Sequence, residues 1–247
     1  MKNIKVRTKL TIIVALVLVL VASESFISIQ NMNQLKNKAL DTMDTSSRQN
    51  YDDSIKEQVG VVISLLSEIN NEYKAGRYSL DEAKKIAADE IRQMRYGNGG
   101  YFWVDQSDGK NIVLLGNSTE GTNRMNTKDA EGYQMVKEII RVAVQDGGGY
   151  TDYVFPKEGE TEPSPKRSYS EYFKPFDWVV GTGNYTDYID TAIAQQDEEF
   201  TSYASSKAIS LILCSVCMLI VVAILVALIA IDITKSLRKI KEQFEVI

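Results

Sequence analysis

Lys166 and Arg167 place two cations side by side, just ahead of Tyr169, while Tyr101 and Trp103 place a phenol and an indole at alternate positions of another short run. Such groups can hold a small anion. Cations and hydroxyls repay the desolvation of the charge, and rings wall in the rest of the molecule. In a strand that begins near Lys166, side chains alternate between two faces, so Arg167 and Tyr169 share one and Lys166 and Ser168 share the other. The sequence favours Arg167 with Tyr169 as the binding pair, with a charge-assisted contact from the guanidinium. Tyr101 and Trp103 share a face by the same rule. Arg124, in Glu120-Gly121-Thr122-Asn123-Arg124, is a further candidate, and a loop-stabilising salt bridge is its alternative role. The competing assignments are sheet core for Trp103 and Trp178, preferred in the case of Trp178, and a solvated loop charge for Lys166.

Other chemistry is pruned by what the chain lacks. It has no histidine, which removes Ser-His and Cys-His catalysis and histidine-bearing zinc sites. Its two cysteines, Cys214 and Cys217, sit inside an apolar run, where their spacing reads as helix surface rather than a redox or metal motif. Gly181-Thr182-Gly183 lacks the longer glycine pattern of a nucleotide loop and reads as close backbone packing. Asp52-Asp53 and Asp197-Glu198-Glu199 lack calcium-loop spacing and read as solvated helix faces. An enzyme would have to rely on carboxylates such as Asp105 and Asp108, so we expect no catalytic residues, no metal and no cofactor.

Residues 210–231 form an uncharged apolar run, long enough at about 1.5 Å per residue to cross a bilayer core of roughly 30 Å. A shorter apolar run, residues 10–22, follows Lys2, Lys5, Arg7 and Lys9, and the second run is followed by Lys235, Arg238, Lys239 and Lys241. The positive-inside rule then places both termini in the cytoplasm and everything between the runs outside it. Glu24 interrupts the first run, and Val21-Ala22-Ser23 has the small-residue pattern of a signal-peptidase site. An uncleaved anchor is the preferred assignment and a cleaved signal peptide the alternative. Residues 24–207 carry 30 of the 33 acidic and 20 of the 28 basic side chains, so the exported part is acidic and excludes nucleic acid as a partner.

Within that part, Ile55, Val59, Val62, Leu66, Ile69 and Tyr73 step by three and four, the spacing of a long helix with a seam against a partner. Ser79-Leu80-Asp81-Glu82 has the form of a capping box that opens a second helix. Residues 101–104 and 112–115 flank Ser107-Asp108-Gly109 and predict a hairpin. A helix follows over residues 136–144, closed by Gly147-Gly148-Gly149, and strands over 150–155, 168–173 and 178–185 complete an α+β module with an antiparallel sheet.

Four blocks in this order carry a family likeness. Tyr101-Phe102-Trp103-Val104-Asp105 with Asp108-Gly109, Gly147-Gly148-Gly149-Tyr150-Thr151-Asp152-Tyr153, Pro165-Lys166-Arg167-Ser168-Tyr169, and Trp178-Val179-Val180-Gly181-Thr182-Gly183-Asn184-Tyr185 together resemble single Cache (sCache) sensor domains. The resemblance covers about residues 30–190. It implies a PAS-like sheet behind a long amino-terminal helix, with an outward-facing pocket for a small molecule, in many members a short carboxylate. It also implies the input half of a methyl-accepting chemotaxis receptor, a sensor kinase or a cyclic-dinucleotide enzyme. Many members carry a His-Pro pair at the end of the second strand, where this chain has Leu114-Leu115.

Ile233, Leu237, Ile240, Phe244 and Ile247 continue a heptad seam past the second run, and the stretch resembles the first helix of a HAMP linker with Ser236 in place of the common proline. The expected plan is therefore a cytoplasmic start at 1–9, a span at 10–29, a sensor domain at 30–190, a connecting helix at 191–209, a span at 210–231 and the start of a HAMP linker at 232–247. We expect a homodimer with its seams in the long first helix and the cytoplasmic stub, a small-molecule ligand, a membrane, and downstream signalling domains or proteins as partners. The alternative is a membrane-anchored adaptor without its own output.

Overall fold

The computed structural model describes residues 6–97, 99–157 and 159–244, without the side chains of 6, 7, 237 and 239–244. Residues 1–5 of the expected cytoplasmic start, and the seam side chains of Leu237, Ile240, Phe244 and Ile247, lie outside the described residues. The chain divides into two compact units, one from residues 1–42 with 194–247 and one from residues 43–193.

The first unit is helical. It holds the amino-terminal part of α1 (Val6–Lys74) and most of α4 (Asp187–Phe244), two helices long and apolar enough to cross a membrane. Helix α1 continues unbroken past Glu24. Its unit is tied by Ser25 Oγ and Ser215 Oγ at 3.1 Å and by Lys36 Nζ donating to Asp197 at 2.8 Å. Leu16, Leu20, Phe26, Leu213, Ile220 and Leu228 are all exposed, the outward apolar surface that suits lipid rather than water.

The second unit begins with the rest of α1 and then α2 (Leu80–Gln93), opened by the capping box: Glu82 N–H donates to Ser79 Oγ, and Ser79 N–H donates to Glu82 at 2.8 Å. Strand β1 (Arg95–Tyr96) is followed by the hairpin of β2 (Gly100–Gln106) and β3 (Asn111–Leu114), with Gly109 at φ 90° in the turn. Then come α3 (Met135–Ala143), β4 (Gly149–Pro156), β5 (Pro163–Phe173) and β6 (Trp178–Tyr185). The sheet is antiparallel with the order β1-β2-β6-β5-β4, and β3 pairs with β2. The α+β class and the order of the expected elements are therefore as the sequence predicts. Two strand features differ: β1 is too short to leave a pattern, and β5 starts earlier, at Pro163, in a stretch that pairs with β4 and lies beyond the pairing with β6.

One correction concerns the seam on α1. Ile55, Val59, Val62, Leu66 and Ile69 are buried within the same chain, packed with α2 residues Ala83, Ala87 and Ile91 and with the sheet residues Phe102, Val104, Tyr169 and Trp178. A helix that lies on a sheet needs the same three-and-four spacing as one that lies on another helix. That stripe is thus consumed as domain core.

The sheet separates two layers. On the α1 side lie Phe102, Tyr169, Phe173, Phe176 and Trp178, with the Phe176 ring edge-on to both Phe173 and Trp178 at 5.2 and 5.3 Å. On the α3 side lie Trp103, Val179, Met135, Val136, Ile139 and Ile140, a smaller cluster edged by Tyr101, Leu114, Tyr153 and Phe155. Strand alternation decides which residue enters which layer.

Candidate ligand site

The α3-side layer holds a small cavity, and the register of three strands sets what lies beside it. Lys166, Ser168 and Ser170 of β5 stand opposite Tyr185, Gly183 and Gly181 of β6, while Thr151 and Tyr153 of β4 stand opposite Ser168 and Lys166. Small residues dominate this patch. Glycine is required at Gly181, where a Cβ would lie 2.5 Å from Ser170 Oγ and 2.6 Å from the Trp103 ring, and at Gly183, where it would lie 2.5 Å from the Arg167 carbonyl oxygen. The close-packing role read for Gly181-Thr182-Gly183 holds.

At the edge of this patch stands Lys166, only 2% exposed. Its Nζ donates to Tyr101 Oη at 3.0 Å and lies 4.7 Å from the centre of the Tyr101 ring, 5.1 Å from Tyr185, 5.3 Å from Phe155 and 5.8 Å from Trp103. Among the described residues no carboxylate pairs with it. Burial, and then the nearby Arg124 charge, lower its pKa from 10.5 to about 7. The four rings offset part of the desolvation through their negative faces.

Arg124 arrives from the loop after β3. Its Nε and Nη2 donate to the two oxygens of Asp105 at 2.7 and 2.6 Å, and Asp105 is fully buried and also accepts from Asn111 Nδ2 at 2.9 Å. Burial pulls the guanidinium pKa down, but the hydrogen bonds and charge of Asp105 outweigh it and raise it, so Arg124 stays cationic. Arg124 is therefore charge-compensated and Lys166 is not. Together they line a cavity of about 20 Å³ with Tyr101, Trp103, Tyr153 and Phe155, capped by Met135, Val136 and Ile139 of α3. The cavity adjoins an open cleft of about 820 Å³, and Tyr101, Phe155 and Lys166 line both. Trp103 Nε1, Ser170 Oγ and Thr151 Oγ1, all buried on this sheet face, have no hydrogen-bond partner among the described residues.

Of the six residues expected to bind ligand, the structure brings Tyr101, Trp103, Arg124 and Lys166 to this cavity and places Arg167 and Tyr169 elsewhere. The last two do share a face, but it is the α1 face. Arg167 donates through Nε and Nη2 to Asp52 at 2.6 and 2.9 Å and through Nη1 to Asp152 at 2.6 Å, and with them it lines a separate cavity of about 430 Å³. Tyr169 is buried against α1 and donates to the Gly147 carbonyl. Lys166 is no solvated loop charge. Sequence reasoning missed Tyr153 and Phe155 as cavity walls, Tyr185 as a wall of the cleft and Asp105 as the partner of Arg124. The alternation that puts Lys166 with Ser168 and Ser170 marks this face, but the small residues there are closely packed and do not line the cavity.

The site is one residue away from α4. Strand β6 ends at Tyr185, whose ring faces Lys166, and α4 begins at Asp187. The intervening Thr186 donates its N–H to the carbonyl of Pro165, the residue before Lys166, at 3.0 Å. Asp187 in turn accepts from Lys157 at 2.5 Å.

Comparison with known proteins fits this geometry. A methyl-accepting chemotaxis protein, McpP of Pseudomonas putida, is 32% identical over 123 residues, 49% of this chain and 23% of the relative. A sensor histidine kinase, MctS of Rhizobium johnstonii, is 33% identical over 177 residues, 71% of this chain and 37% of the relative. The chain thus spans well under half the length of these curated relatives. Among solved structures, the periplasmic sensor domain of a chemotaxis protein is 30% identical with a TM-score of 0.53, over 57% of this chain and 96% of that one. A Cache chemosensory domain described for carboxylic acid recognition is 27% identical with a TM-score of 0.54, over 57% of this chain and 97% of that one. Residues 47–199 match the family described as single Cache domain 2, which is more than half of the chain, and the protein belongs to that family.

Proposed function

We propose that the protein is the input part of a transmembrane sensory receptor, which binds a short monocarboxylate from outside the cytoplasm in the cavity beside Lys166. One observation carries this reading: a buried lysine amine with no carboxylate partner among the described residues, caged by rings that include Tyr185, where β6 ends one residue before the helix that leads into the second apolar run. The cavity groups Lys166, Arg124 and Asp105 sum to a single positive charge when the lysine is protonated, which suits one carboxylate and not two. A cavity of about 20 Å³ holds only a water or two, so the ligand enters from the cleft as Lys166 and its ring walls give way. Their displacement moves Tyr185 and, through the bond from Thr186 to Pro165, the start of α4. A helix shift of roughly 1–2 Å is within the repertoire of such receptors.

Relatives of both output types support an input role without selecting the output, and the kinase matches more of this chain. A membrane-anchored binding protein without its own output is the second reading, and an in-frame output segment beyond residue 247 in the source gene distinguishes them. The working assembly is a homodimer. Its contact falls to outward positions of α1, such as the 57% exposed Val61, since the Ile55 to Ile69 stripe is occupied. Basic flanks at both ends support cytoplasmic termini. A cysteine placed at Thr161 should react with an impermeant thiol reagent on intact cells and one at Lys241 should not; the reverse labelling pattern overturns the orientation.

The ligand is tested with the full chain in lipid nanodiscs, in a thermal-shift screen over C2 to C4 monocarboxylates, dicarboxylates, amino acids and amides. Monocarboxylates should raise the unfolding midpoint of the sensor unit, with dicarboxylates weaker. A hit set confined to amines or amides refutes the reading.

A further inference from the structure

Among the described residues, Lys166 is surrounded by rings, apolar side chains and one ion-paired arginine. From β2 it meets Tyr101 and Trp103, from β4 Tyr153 and Phe155, from β6 Tyr185, and from the loop Arg124, fixed as a cation by Asp105. Helix α3 offers only Met135, Val136 and Ile139. On the cleft side Lys157 lies 5.4 Å from the Tyr185 ring and is paired with Asp187. Burial pushes the Tyr153 phenol up, so it stays neutral, and Arg124 stays charged. At pH 8 the unliganded Lys166 is then mostly the neutral amine, because burial and the Arg124 charge have brought it to about 7.

We propose that the site takes up one proton from solvent together with its carboxylate, so that the receptor responds to the anion and to acidity jointly. This rests on the carboxylate function proposed above. The amine nitrogen of Lys166 forms an N–H bond with a solvent proton as the carboxylate arrives, and the carboxylate itself remains ionised. An anion against Nζ stabilises the ammonium over the amine, which is the differential interaction that couples the two events. Below neutrality the ammonium is already present and binding takes up no proton. Above it each ligand must bring one in, so the dissociation constant should rise about tenfold between pH 6 and pH 8.

The test is calorimetry on the full chain in nanodiscs with acetate, which is ionised throughout that range, in two buffers of different ionisation enthalpy. The buffer dependence of the measured heat gives the protons exchanged. We expect close to one taken up at pH 8 and close to none at pH 6. In Lys166→Arg, which keeps the cation and cannot lose its proton, uptake should vanish at both pH values. Binding at pH 8 without proton uptake, or uptake that survives in Lys166→Arg, overturns this inference alone. Absence of binding at pH 6, where Lys166 is already charged, overturns the carboxylate reading and this inference with it. A second readout needs no ligand. The folded chain has lost a proton that the unfolded chain retains between pH 7 and 10, so stability on this account rises with pH across that window, and Lys166→Met should remove that part of the rise. An identical slope in parent and variant overturns the inference.

Discussion

The two faces of the sheet use the same strands and reach opposite ends. Toward α1, Phe102, Tyr169, Phe173 and Trp178 interdigitate with a helical stripe and α2, and the one cation on that side of β5, Arg167, is neutralised by Asp52 and Asp152. Toward α3, Trp103, Tyr153 and Phe155 wall a small cavity, and the neighbouring cation, Lys166, is buried without a carboxylate partner among the described residues. Adjacent residues of one charge thus do different work. Arg167 spends its charge inside the fold, and that stabilises it. Lys166 has no compensating carboxylate among the described residues, which costs stability, and under the proposed function an anion completes the site.

The contrast can be broken in order of expected effect. Trp178→Ala, on the packed face, should cost about 3–5 kcal/mol in chemical denaturation, since the indole is fully buried among Phe176 and α1 residues. Its ligand affinity should fall only as far as the folded fraction falls. Gly181→Ala, on the open face, should cost about 1–3 kcal/mol, because its methyl displaces Trp103 or Ser170. Here affinity should drop beyond the loss of folded protein, as the Trp103 wall moves; unchanged affinity in the folded fraction would remove Trp103 from the site. Arg167→Ala, with a side chain 29% exposed, should cost about 1 kcal/mol or less.

Much of this arrangement was legible in the chain. Helix and strand order follow from periodicity, Ser79 and Glu82 mark the start of α2, and Asp108-Gly109 marks the hairpin. Four of the six expected ligand residues meet in one cavity. The choice of face was not legible, because alternation pairs Lys166 with Ser168 and Arg167 with Tyr169 without saying which pair is covered by α1. Guanidinium chemistry made Arg167 attractive for the same reason that it satisfies Asp52 and Asp152. Arg124 was recognisable as an ion-paired residue, but its partner Asp105 lies on a strand 19 positions away and only the fold brings them together. The stripe on α1 misled in a related way, since a sheet and a second helix ask the same spacing of it.

The most direct measurement is a pair of calorimetric titrations with the best carboxylate from the screen, on Lys166→Met and Arg167→Ala in the full chain at pH 6. Loss of the charge-assisted contact should weaken Lys166→Met by about 1.5–3 kcal/mol, or roughly 10- to 150-fold, and leave Arg167→Ala within about twofold of the parent. The reverse pattern, with Arg167→Ala weakened and Lys166→Met unchanged, would contradict the account and place the site on the other face of the sheet.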